Sequence, residues 1–104
     1  MTTITTTATG RWATSKASQY LRQLCKHFSH KVETRFDEHA GTIAFADAPV
    51  RLVATATELQ VVVEGTNAEA TTRYRDVIDS HLKRFAFRES FETMDWAEAE
   101  AAAA

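Results

Sequence analysis

Lys31-Val32-Glu33-Thr34-Arg35-Phe36-Asp37-Glu38-His39-Ala40-Gly41 is where the apolar period of this chain changes. Before it, Ala17, Tyr20, Leu21, Leu24 and Phe28 recur at helical spacing, one buried stripe on a helix that ends near Ser29. Within it, Val32, Thr34 and Phe36 alternate with Glu33, Arg35 and Asp37, the two-residue period of a half-buried strand. Glu38-His39-Ala40-Gly41 then turns the chain. The alternation returns at Ile43 and Phe45, at Leu52 and Ala54, and at Leu59, Val61 and Val63. Turns at Asp47-Ala48-Pro49 and Thr55–Glu58 separate these runs. Connections this short leave no room for crossovers, so the four strands form an antiparallel meander.

Outward from the meander, Ile4 to Ala13 is threonine-rich with Trp12 near its end and suits a strand. Thr14 or Ser15 is placed to cap the helix that follows. On the other side Gly65 ends the sheet run, and Thr66-Asn67-Ala68-Glu69 has the T-x-x-E form of a capping box. The second helix buries Tyr74, Val77, Ile78, His81, Leu82 and Phe85. Glu89 to Trp96 reads as a short last edge strand. Residues 97–104 are an Ala/Glu tail, expected to be frayed helix or disorder. The expectation is one α+β domain over residues 1–96, ordered strand, helix, four strands, helix and a last edge strand. Its antiparallel sheet carries both helices on one face. The opposite face would carry Glu33, Arg35, Arg51, Gln60 and Glu64 together with Ala44, Val53 and Val62, a mixture that suits a dimer contact or the floor of a cleft.

With 104 residues, 44% of them hydrophobic and 25% charged, the chain has the composition of a globular domain. A net charge of −2 gives no overall pull toward nucleic acid or anionic lipid, so neither is expected as a partner. Cys25 is the single cysteine, which excludes an intrachain disulfide and fits a reducing compartment. Met1-Thr2-Thr3-Ile4-Thr5 does not begin a signal peptide, and no run nears the ~20 apolar residues of a membrane span. The expected location is cytoplasmic.

Three of the four histidines sit in two similar segments, Cys25-Lys26-His27-Phe28-Ser29-His30-Lys31 and Ser80-His81-Leu82-Lys83-Arg84-Phe85-Ala86-Phe87-Arg88-Glu89. At about 100° per residue, His27 and Cys25 lie roughly 80° to opposite sides of the buried stripe and cannot share one ion. His27 and His30 share a side, and a metal would need a third ligand, with His81 the natural candidate. The plainer reading is that His27, His30 and Lys31 complement the negative end of the helix. His81 falls on the buried stripe, either as a hydrogen-bonded core residue or lining a pocket with Arg84 and Arg88 that would suit a carboxylate or phosphate. Glu89 would then neutralise Arg88 or orient His81. No catalytic residue is assigned: Cys25 borders a buried stripe, Ser29 and Ser80 sit in no nucleophile elbow, and Asp76 and Asp79 lie on a solvated helix face.

The segments Tyr20–Lys31, Phe36–Gly41 and His81–Glu89 resemble the hallmark stretches of the bacterial uncharacterised-domain family DUF-2218, over about Thr9 to Trp96. The resemblance implies a small bacterial α+β domain with no established activity. Relatives fused to, or encoded near, flavin-dependent siderophore-interacting reductases imply a partner of that type and a link to iron handling. A dihydroxyheptenedioate aldolase label on other relatives does not fit, since such barrels need ~250 residues. The element order also resembles TATA-box-binding-protein-like topology, which carries no DNA binding with it.

Two functions follow as expectations, and an enzymatic one survives only if His81 and Cys25 or a carboxylate meet in a pocket. One is a non-enzymatic accessory or ligand-binding domain that uses His27, His30, His81, Arg84 and Arg88 for an anion or metal; no cofactor is specified. The other is a structural or interaction module acting through a homodimer or partner surface on the second sheet face. Parallel helices would bring His27 or His30 to His81, whereas antiparallel helices would leave the two ends at opposite poles.

Overall fold

The computed structural model describes residues 3–103. Its elements are β1 (Thr3–Ala13), α1 (Ala17–Phe28), β2 (Thr34–Phe36), β3 (Ala40–Ile43), β4 (Val50–Ala54), β5 (Glu58–Gly65), α2 (Ala68–Phe85) and β6 (Asp95–Ala103), with a short 3-10 turn at Phe87–Glu89 before the last strand. The sheet order is β2-β3-β4-β5-β1-β6, antiparallel throughout. The α+β architecture is the one the periodicity implies, with both helices packed on the sheet.

The strands obey their alternation. Val50, Leu52 and Ala54 of β4 and Leu59, Val61 and Val63 of β5 are buried beneath the helices. They meet Leu21, Leu24 and Phe28 of α1 and Ile78 and Leu82 of α2 in one core. Among the described residues no helix covers the opposite face, where register aligns Arg35, Thr42, Arg51, Val62, Thr9 and Ala97 across all six strands. Two glycines let the helices sit close. A Cβ on Gly41 would lie 2.9 Å from Cys25 Sγ of α1, and one on Gly65 would lie 2.7 Å from the Thr71 backbone nitrogen of α2.

The helix starts differ from expectation by a residue or two. Neither Thr14 nor Ser15 caps α1; Thr14 instead accepts from the Lys16 amide at 3.1 Å, a local hydroxyl turn just ahead of the helix. In α2 the cap is Asn67, not Thr66: its Oδ1 accepts from the Ala70 amide at 2.8 Å. The larger correction is at the C-terminal end. The segment expected as a frayed tail is strand through Ala103, paired with β1 from Arg11↔Asp95 to Thr3↔Ala103, while Ala104 lies outside the described residues. Alanine has little strand preference of its own, but the free edge of the threonine-rich β1 supplies a complete backbone ladder.

Candidate functional site

The two helices meet through histidine. The rings of His27 on α1 and His81 on α2 have centroids 4.7 Å apart, tilted by 57°. Phe28 packs against both, at 5.0 Å from His27 and 4.8 Å from His81. It continues through Phe45 at 5.0 Å to Tyr74, another 4.6 Å on. Phe85 closes the outer side, 5.9 Å from His27. This aromatic row fixes where the imidazoles sit.

His81 is half-buried and oriented by its own helix, with Nδ1 2.6 Å from the Val77 carbonyl oxygen. A carbonyl only accepts, so Nδ1 carries the proton and donates, and Nε2 keeps its lone pair in the neutral ring. His27 is held below the ordinary histidine pKa, first by partial desolvation, then by His81, Lys31, Arg84 and His30. The fixed charges acting on it, Lys31 and Arg84, are both positive. His27 is therefore neutral at pH 7, in a setting that repels a second cation and would welcome an anion.

The residues singled out in the sequence divide accordingly. His27 and His81 are in contact, and Arg84 and His30 lie within electrostatic reach of His27. Arg88 stands apart, exposed and 5.6 Å from the Phe87 ring. Glu89 serves neither His81 nor Arg88; it accepts from the Thr14 hydroxyl at 2.8 Å and from the Tyr20 hydroxyl. Burial and that carboxylate push the Tyr20 phenol up to about 12. Among the described residues no three His, Cys, Asp or Glu side chains converge to hold a metal ion, so the His27–His30–His81 ligand set is not formed.

Helix direction alone does not decide this contact. Tyr20 near the start of α1 meets Glu89 beyond the end of α2, while Phe28 at the end of α1 meets His81. The helices thus run in opposite senses, yet His27 reaches His81. Length explains this: α2 has 18 residues to the 12 of α1, and His81 sits one turn inside its end.

Nucleophilic chemistry finds no footing at this contact. Cys25 is buried against β3, on the side of α1 away from His27, and burial pushes its thiol up to about 11. The two serines beside histidines are tied to backbone, Ser29 Oγ to the Lys26 carbonyl at 2.7 Å and Ser80 Oγ to the Val77 carbonyl at 3.1 Å.

Asp79 is the polar residue whose role the sequence misplaced. It is partly buried and accepts from Thr93 Oγ1 at 2.6 Å, the Met94 amide at 3.1 Å and Trp96 Nε1 at 3.0 Å. Arg75, one turn earlier, bonds Glu98 at 2.7 Å with its guanidinium carbon 5.4 Å from the Trp96 ring centroid. The signal available was Trp96, whose indole N–H needs an acceptor when partly buried. A separate depression of about 500 Å³ lies over β2–β4, bordered by Arg35, Thr42, Arg51 and Val53 of the open face.

Fold and site together define a small two-layer α+β domain with an imidazole-centred cationic contact between its helices. The chain belongs to the family described as "Uncharacterized protein conserved in bacteria (DUF2218)", whose model matches residues 9–97. It is similar to the NMR structure of PA4090 from Pseudomonas aeruginosa, with a TM-score of 0.72 and 26% identity over 89% of this chain and 94% of that one. No curated protein matches. Among the described residues, no helix is long and apolar enough to cross a membrane.

Proposed function

We propose that this domain is a non-enzymatic accessory module that binds a small oxyanion, a carboxylate or phosphate, at the His27–His81 contact. Arg84 and Lys31 supply fixed positive charge, and His30 stands at the rim. The observation that carries the reading is the imidazole pair, one ring oriented by Val77 and the other packed on Phe28 with the fixed charges of Lys31 and Arg84 acting on it. An anion there relieves that repulsion and favours the protonated form of His27, so binding takes up a proton. Citrate, an iron-chelating carboxylate, falls in this ligand class. A module acting through the open sheet face is the weaker reading, because its arginines are already matched by acids at Glu58, Glu33 and Glu64.

Calorimetric titration with phosphate and with citrate tests it. Binding is expected to strengthen as pH falls from about 7.5 to about 6, through the histidine range. His27→Ala and His81→Ala should each weaken it. Heat equal to the buffer blank for both anions at both pH values removes the reading.

A further inference from the structure

Ion pairing is uneven over the surface of this domain. On the open sheet face, Arg11 lies 2.8 Å from Glu58, Arg35 3.5 Å from Glu33 and Arg51 2.8 Å from Glu64. Arg73, Arg75 and Lys83 likewise meet Asp47, Glu98 and Glu92. Among the described residues, Lys16, Arg22, Lys26, Lys31, Arg84 and Arg88 form no ion pair, and all six are exposed. Four of them are on α1 or its immediate flanks. The other two end α2 and the turn after it, which Glu89 fastens to Tyr20 of α1.

The cause is in the chain order. No acid precedes Glu33, so the first 32 residues carry five cations and no anion, while the remainder holds seven cations and all fourteen acids. The net charge of −2 conceals a segment at +5 and a remainder at −7. On α1, Arg22 and Lys26 are four residues apart and thus neighbours on one face. With Gln19 and Gln23 they border a shallow depression of about 370 Å³.

We infer that the outer face of α1 is a docking surface for an acidic segment of a partner protein. Like charges at this spacing destabilise a helix, an effect that carboxylates laid along the face would reverse. The two glutamines add amides that can bond a peptide backbone. A nucleic acid fits less well: α1 is only about 18 Å long, the strongly acidic remainder repels any longer polyanion, and the face offers no aromatic ring for base stacking. An anionic membrane fits less well too, because Ser18, Gln19, Arg22, Gln23 and Lys26 give no apolar side chain to insert. The surface lies beyond the imidazole contact and uses different residues.

Fluorescence anisotropy of the full chain with a labelled Glu/Asp-rich peptide of about ten residues tests this. Binding is expected at low salt and should weaken toward about 0.15 M, where screening sets in within about 8 Å. The double variant Arg22→Glu/Lys26→Glu should lose about tenfold or more, whereas Arg51→Glu on the open sheet face should bind as the parent does. His81→Ala should leave peptide binding in place even though it weakens the small-anion site, so the two proposals fail separately. No peptide binding, equal losses in Arg51→Glu and the α1 variant, or tighter capture of an equally charged oligonucleotide or of phosphatidylserine vesicles would overturn the inference.

Discussion

The two helices lie on the same sheet but are held to it by different forces. α1 buries half of its 12 residues, Ala17, Tyr20, Leu21, Leu24, Cys25 and Phe28, and has neither a side-chain cap nor an acidic residue. α2 fully buries only four of 18, Ala70, Thr71, Ile78 and Leu82. To the core contacts of Ile78 and Leu82 it adds a set of polar fastenings. Asn67 caps it, Thr71 donates to the Thr6 carbonyl at 2.9 Å, and Asp79 and Arg75 clasp the strand that follows. Apolar anchoring leaves the outer surface of a helix free of structural duties; polar anchoring consumes its charged side chains. The cations of α1, with no acid before Glu33 to meet them, therefore stay unpaired, whereas Asp79 of α2 is spent on the segment that follows.

The contrast breaks most visibly in the core. Leu24→Ala should cost about 2–5 kcal/mol by urea denaturation, the range for a fully buried leucine that leaves a cavity. Gln23→Ala, on the outer face of the same turn, should stay within about 0.5 kcal/mol. Comparable losses at the two positions would mean that α1 is not held by its apolar stripe.

Polar anchoring is next in size. Asp79→Ala strands the Trp96 indole N–H, the Met94 amide and the Thr93 hydroxyl, and should cost about 2 kcal/mol, typical for hydrogen bonds to a charged acceptor. The loss should be local. Amide exchange along β6 is expected to quicken while that of α1 does not, and Trp96 emission should move toward the red as water reaches the ring. Unchanged exchange in β6 would show that the ladder to β1 alone holds the strand.

The asymmetry also explains what was readable in advance. The stripe of α1 and the alternation of β3–β5 are patterns of apolar residues, and patterns of that kind are local, so the covered side of the molecule was legible. The histidine contact was half legible: periodicity placed His27 to the side of its stripe and His81 on its own, but not the relative lengths of the helices that let them touch. Asp79 was misread because nothing nearby in sequence marks it; its partners lie 14 to 17 residues on, in a segment with no apolar period. The last strand was expected at Glu89–Trp96 but runs Asp95–Ala103, and its bounds escaped for the same reason. Its alanines specify little, and the partner that makes them a strand is at the other end of the chain.

The smallest expected effect lies where the two helices meet. His27 titrates below its ordinary range, so between about pH 6.5 and that lowered value the unfolded chain binds the extra proton and the native one does not. Its contribution is therefore fully present above about pH 6.5 and is lost as pH falls through that window. The groups acting on it are Lys31 and His30 beyond α1 and His81 and Arg84 from α2, with no carboxylate to offset them. Urea midpoints at about pH 7.5 and about pH 5.5, measured in chloride, should differ more in the parent than in His27→Gln, because every other titrating group is common to both. Added phosphate should restore part of the parent's loss at the lower pH by neutralising the same crowd of cations, and should do nothing for the variant. A parent and variant that lose the same stability on acidification would show that the two imidazoles touch without their charges being felt.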